Sequence, residues 1–224
     1  MQNDARNEIM NSIRQNLAKS APFDAVHNEH HQSQKTSKTN LDILLELPIN
    51  FLIEQFRESL TAIGGNCTIV SNFKEAAKLV QTIIDENQAK QIAISDVDVV
   101  RKISDLLSTN LEILENASAK TLFETDLGIT SAQFGIAETG TLVLESKREF
   151  HRLTSLVPPI HVCLLEAKNI KQTLGEILET LEKDLSPTIT FITGPSRTSD
   201  IELTLAIGVH GPAELHVIIL NPEN

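Results

Sequence analysis

QIAISDVDVVRKISDLLS, residues 91–108, decides the fold. Its first part, QIAIS, is apolar along its length, as a strand buried on both faces is. Its second part, DVDVVRKISDLLS, reads as a helix opened by an acidic first turn, where carboxylates oppose the positive end of the helix dipole. A strand passing directly into a helix is one βα unit, and the rest of the chain repeats the alternation. Upstream, LDILLELPINFLIEQFRESLTAIGG (41–65) is helical, interrupted at Pro48 and stopped by Gly64-Gly65. Cys67 to Val70 is a short β-branched strand, and NFKEAAKLVQTIIDENQ has a helical period through Ala77, Val80 and Ile84. Downstream come the strands LEILEN, FGIAETGTLVLES (broken by a turn) and IHVCLLEA. A helix over IKQTLGEILETLEKDL, the strand TITFIT, a short helix over SDIELTLAI and the strand LHVIIL complete the pattern. The expectation is an α/β fold, a three-layer α/β/α arrangement with a largely parallel sheet. In it a right-handed crossover lays LHVIIL parallel to TITFIT.

The alternation begins near residue 41. Residues 1–20 contain an amphipathic helix, with Ile9, Ile13 and Leu17 four residues apart. Residues 21–40 form a polar linker whose His27, His30 and His31 read as solvated. Residues 41–224 form the α/β domain.

Composition narrows the function. The net charge of -11 argues against a general phosphate-backbone binder, and 4% aromatics leaves few platforms for stacking bases. Two cysteines, Cys67 and Cys163, both in apolar runs, read as buried thiols and cannot supply a four-thiolate cluster. No GxGxxG fingerprint or P-loop is present. The start MQNDARNEIM lacks an apolar signal core, and no apolar run approaches the roughly 20 residues that span a bilayer. The expectation is a cytoplasmic protein without a membrane span, a nucleic-acid partner or a cofactor of its own.

Ligands of open α/β sheets gather at the carboxyl ends of strands. On that rule TGPSRTSDIE ranks first, with AISD and FGIAETGT below it. Gly194 admits an unusual backbone angle, Ser196 and Thr198 are possible caps, and Arg197 beside a helix start suits a small carboxylate or phosphate. The competing reading pairs Arg197 with Asp200 or Glu202 and makes it structural. His210, in VHGP, is an oxyanion donor, an acid or base, or a pin for its loop. Glu138, with Thr139 and Gly140 in a tight turn, is a nucleophile, a general base or the partner of Arg197 or Arg152. REFHRLTSLVPPIHV adds Arg148, His151, Arg152 and His161, of which Arg152 is chosen for ligand contact. The proposed cleft brings Glu138, Thr139, Ser196, Arg197 and Thr198 together, with Arg152 nearby.

In combination, GIAETGTLVL, R-x-x-SLVPPIHV, ITGPSRTSDIE and GVHGP resemble the lactate utilisation protein C family, built on the LUD domain, over roughly residues 41–220. The resemblance implies a fold akin to the sugar-phosphate isomerase and CoA-transferase superfamily. It also implies a non-redox part in oxidising L-lactate to pyruvate beside iron–sulfur partner proteins, with Arg152 at the family's arginine position. The alternative is a CoA-transferase-like or isomerase-like enzyme with Glu138 as nucleophile.

Overall fold

The structure, a computed structural model, describes residues 10–12, 47–108, 110–149, 152–198, 206–207 and 211–222. The chain divides into two units, Met1–Glu46 and Leu47–Asn224. In the first, residues 10–12 are helical, and the linker expected over 21–40 lies outside the described residues.

The second unit is built on a six-stranded sheet of order β1-β12-β7-β4-β2-β3. Its strands are β1 (Asn66–Val70), β2 (Gln91–Ile94), β3 (Glu112–Glu115), β4 (Leu127–Ala132), β7 (Ile160–Glu166) and β12 (Glu214–Leu220). Every pairing in it is parallel. The helices are α1 (Ile49–Ala62), α2 (Phe73–Glu86), α3 (Asp98–Ser104), the single turn α4 (Ala119–Leu122) and α5 (Leu174–Leu181). Asn72 caps α2 by accepting from Glu75 N at 3.0 Å, and Thr173 with Glu176 closes a capping box on α5. Helix α1 begins directly after Pro48, whose fixed φ suits a helix start, and ends at Gly64 with φ +85.

Two cores follow from the strand period of two. On one face Ile92, Ile94, Ile129, Val162, Leu164 and Ile218 pack against Val80, Ile83 and Ile84 of α2 and Val100 and Ile103 of α3. On the other, Cys163, Leu165, Val217 and Ile219 pack against Ile53, Phe56 and Leu60 of α1 and Leu142 and Leu144 of a second sheet. Each fully buried aliphatic side chain contributes about 1.5–3 kcal/mol relative to exposure.

That second sheet was not announced by the sequence. It has four strands in the order β8-β5-β6-β9: β5 (Phe134–Ile136), β6 (Thr141–Glu145), β8 (Ile170–Lys171) and β9 (Ile189–Ile192). FGIAETGTLVLES is its antiparallel hairpin, β5 to β6. Its outer face, with Ile136 and Val143, is covered by Ile177 and Leu181 of α5. The six-stranded sheet thus has helices on both faces, as expected, but α1 shares its face with a second sheet.

Three local expectations are corrected. TITFIT (β9) pairs antiparallel with β6, so it lies in a different sheet from LHVIIL (β12), and no crossover joins them as sheet neighbours. The helix expected over SDIELTLAI does not extend to its end. Ala206–Ile207 is a strand (β11) pairing antiparallel with Arg197–Thr198 (β10), and the residues between lie outside the described set. Ile170–Lys171, expected to open a helix, instead pairs with β5.

Candidate functional site

The carboxyl ends of β1, β12, β7 and β4 open into two adjoining cavities that share Glu166, Lys168 and Leu220. One, of about 770 Å³, lies over Ser71–Phe73 and Asn221–Pro222 and reaches Ile49 at the start of α1. The other, of about 590 Å³, is lined among others by Ser131, Gln133 and Arg148. Both volumes suit a small ligand. Among the described residues helix α1 has no side-chain cap and no acidic residue in its first turn, so the positive end of its dipole faces this cavity without a carboxylate of its own first turn. Two cations stand on the rim, Lys168 paired with Glu166 at 2.5 Å and Arg148 with Glu145 at 3.7 Å. Lys168 and Arg148 are exposed, so each pair contributes at most about 1 kcal/mol and is easily exchanged for a ligand anion.

Beneath this rim lies a buried carboxyl. Glu149 is 2% exposed. It is set by the turn after β6, where its amide donates to Glu145 O at 2.8 Å. Its Oε1 accepts from the Ser131 amide at 2.8 Å and the Ser131 hydroxyl at 2.5 Å. Its Oε2 and the Oγ of Ser95, at the carboxyl end of β2, are both buried without a hydrogen-bond partner of ordinary geometry among the described residues. Burial pushes the Glu149 carboxyl above its ordinary range, and the hydrogen bonds from Ser131, with the nearby Ser95 hydroxyl, oppose the shift. A proton on Oε2 directed at Ser95 Oγ would satisfy both orphaned atoms. The side-chain carbonyl of Gln133 is taken by Glu145 N at 2.6 Å, leaving its NH₂ as a donor. Chemically the cleft offers hydroxyl and amide donors and two exchangeable cations, with the buried Glu149 carboxyl behind Ser131.

Of the residues singled out from sequence, Arg148 lines this cleft; the others lie elsewhere, near the amino ends of the same strands. The ETGT turn and GPSRT both press on the end of α1. Gly140, with φ +65, lies so close that a Cβ there would stand 2.4 Å from Leu60 N. Gly194, with φ +84, packs against Ile63. Arg197 donates to Ile63 O at 2.6 Å, a helix C-terminal carbonyl. Glu138 is exposed, and its carboxylate accepts from Leu174 N at 3.1 Å at the start of α5. Thr139 Oγ1 lies 2.7 Å from Thr141 Oγ1, which lies 2.8 Å from Thr193 Oγ1, so hydroxyls link the two motifs. Among the described residues Glu138 makes no ion pair with Arg197 or Arg152. Arg152 is exposed in a 3₁₀ turn, Arg152–Ser155, held against Gly128 of β4. Thr198 takes part in β10, and His210 lies outside the described residues.

GPSRT and the Gly-Pro of HGP do meet, since Ser196 N donates to Pro212 O at 2.8 Å. Gly194, Ser196, Gly211 and Pro212 line a third cavity, of about 190 Å³, together with His161. Cys163 is buried and Cys67 half-buried, and burial pushes the Cys67 thiol up to about 12, far from a reactive thiolate.

Sequence reasoning ranked AISD, with Ser95, below GPSRT and passed over Ser131, Gln133 and Glu149. Two signals for them existed: AISD closes an all-apolar strand, and a lone acid stands inside the basic run KREFHR.

The family model for the LUD domain matches residues 53–220. Among relatives, an uncharacterised protein of Neisseria meningitidis serogroup B is 42% identical over 102 residues, 44% of each chain. Lactate utilization protein C of Halalkalibacterium halodurans is 26% identical over 200 residues, 83% of this chain and 86% of that one. The protein of the same description from Deinococcus radiodurans is 33% identical over 120 residues, 51% of this chain and 57% of that one. The matches thus span less than half of the Neisseria relative's length and most of the Halalkalibacterium one's. The crystal structure of a DUF162 family protein from Deinococcus radiodurans superposes with a TM-score of 0.61 at 23% identity. It covers 78% of this chain and 99% of that one, a likeness of fold. No helix among the described residues is long and apolar enough to cross a membrane. With three quarters of its length matched, the chain belongs to the LUD domain family.

Proposed function

We propose that this chain serves L-lactate utilisation as a component without a redox group of its own, beside iron–sulfur partner proteins that take the electrons. The observation that carries the reading is the 200-residue match to a relative called Lactate utilization protein C. Oxidising lactate to pyruvate releases two electrons and two protons. Two cysteines cannot by themselves hold a four-thiolate cluster, which supports assigning the electrons to partner proteins. The cleft at the carboxyl ends supports a small carboxylate as the ligand. Arg148, Lys168 and the first turn of α1 supply positive charge, and Ser131 and Gln133 supply donors.

Disruption of the gene in its own host tests this. Growth on L-lactate should fail and return with the intact gene. The tagged protein should be colourless alone and draw iron–sulfur proteins with it from lactate-grown cells. Normal growth without the gene, together with no such co-purification, sinks the reading. Arg148→Ala with Lys168→Ala should lose growth on lactate while the protein stays folded.

The alternative, a CoA-transferase-like or isomerase-like enzyme with Glu138 as nucleophile, draws on the exposure of that carboxylate at its turn. It requires the bond to Leu174 N to open. A glutamyl thioester trapped from acyl-CoA, and absent in Glu138→Ala, would establish it.

A further inference from the structure

We propose that the cavity at the amino ends of β7 and β12 is a second ligand site, in which His161 Nδ1 accepts a hydrogen bond from the hydroxyl of a small aliphatic ligand. His161 is wholly buried, yet it lines this cavity. One ring nitrogen is occupied: Nε2 lies 2.8 Å from Thr130 Oγ1. The other, Nδ1, has no partner among the described residues. A buried polar atom left unpaired costs about 1–3 kcal/mol, and the ring that carries this one lines the cavity wall.

The surrounding bonds fix what Nδ1 offers. Thr130 Oγ1 donates to Cys163 Sγ at 3.7 Å, and Cys163 Sγ donates to Leu164 O at 3.8 Å. With its proton directed at the sulfur, the threonine oxygen accepts from His161 Nε2–H. That tautomer leaves Nδ1 as a bare lone pair, an acceptor awaiting an O–H donor. Burial, and secondarily His216, lowers the pKa of His161 to about 3. The ring is therefore uncharged at neutral pH and is no counter-ion for a carboxylate.

Size and lining give the rest. The cavity of about 190 Å³ holds the volume of about six waters, room for a ligand of that many heavy atoms. Leu156, Ile192 and Leu215 form apolar walls, and among the described residues no Asp, Glu, Lys or Arg lines it. Ser196, from the GPSRT motif, stands at its edge. The site would bind a short aliphatic chain by its hydroxyl, whether a neutral alcohol or a hydroxy acid whose carboxylate stays toward solvent. It lies apart from the carboxyl-end cleft, and the inference is independent of the lactate reading.

The test is two-bond ¹H–¹⁵N NMR of histidine-labelled protein at neutral pH, titrated with propane-1,2-diol and separately with L-lactate. In the free protein Nδ1 of His161 should be the unprotonated nitrogen, and its signal should move toward the protonated position as probe is added. A response to the diol alone supports a neutral alcohol, and a response to lactate as well supports a hydroxy acid. His161→Gln keeps an amide donor for Thr130 but lacks the second nitrogen, so ligand saturation-transfer signals should disappear. Leu156→Phe, which fills the cavity and leaves the imidazole in place, should also abolish them and keeps the test alive if His161→Gln fails to fold. A protonated Nδ1 in the free protein, no response to either probe, or undiminished binding by both variants overturns the proposal.

Discussion

The two ends of the six-stranded sheet use their polar residues differently. At the amino ends, the residues that look most like motifs hold the chain. Gly140 lets a turn press on α1, Arg197 caps that helix, and Glu138 caps α5. At the carboxyl ends, polar groups are left partly unspent: Glu149 Oε2 and Ser95 Oγ make no hydrogen bond of ordinary geometry among the described residues, and two rim cations are weakly held. Distinctive spelling in a sequence can reflect a demanding turn as much as chemistry. Buried groups with unused hydrogen-bonding capacity are the better sign of a place where something binds.

Substitutions can break or sharpen this contrast. The largest effect should come from Gly140→Ala. Its Cβ would strike the Leu60 backbone, and its φ is in the left-handed region. A loss of about 3 kcal/mol or more in urea unfolding is expected. A loss below about 1 kcal/mol would show that the turn is not a structural clamp.

Glu149→Gln comes next and reads the other end. The folded pKa of Glu149 is raised, so the protonated form is the one burial favours. Its stabilising contribution is complete below the ordinary carboxylate pKa and is lost as pH rises through the raised value. Wild-type stability should therefore fall with pH across that window, by up to about 1.4 kcal/mol per pH unit, and the Gln variant should lack this slope. Identical pH profiles would mean that Glu149 is an ordinary ion in the fold.

Arg197→Ala should cost about 1 kcal/mol for the lost bond to Ile63 O, lowering the thermal midpoint by about 2–4 °C in a domain of this size. An unchanged midpoint with loss of growth on lactate would return Arg197 to ligand binding. Gly175→Ala should do least. Its nearest neighbour atom would be 3.7 Å away, inside a helix, so a gain of up to about 1 kcal/mol is expected.

How far the sequence carried depended on which interactions each segment answers to. β2, β7, α2 and the body of α1 were legible, because continuous apolar runs and helical spacing act locally. The central strand β4 was not. LGITSA is fully buried, yet it spends three of its six positions on Gly128, Thr130 and Ser131. Those residues serve the 3₁₀ turn at Thr154, the ring of His161 and the carboxyl of Glu149, none of them near in sequence. Strand β9 was found, but in the wrong sheet, because an apolar strand of four residues carries no record of its partner. The GPSRT turn was accordingly ranked as a carboxyl-end loop of the large sheet, while AISD, which is one, was ranked below it.

The order β1-β12-β7 has a consequence for how the molecule is made. β12, the last strand of the sheet to leave the ribosome, is the one that joins the first strand to the rest. At ordinary rates of synthesis, β1 waits on the order of ten seconds for β12, its one sheet neighbour among the described residues. Throughout that wait the flank of β7 that will meet β12 is also open, and both edges are available to other nascent chains. The exposed interval closes in one step when β12 slides between them, so a nascent chain stalled before residue 214 would be an aggregation hazard rather than a smaller folded protein.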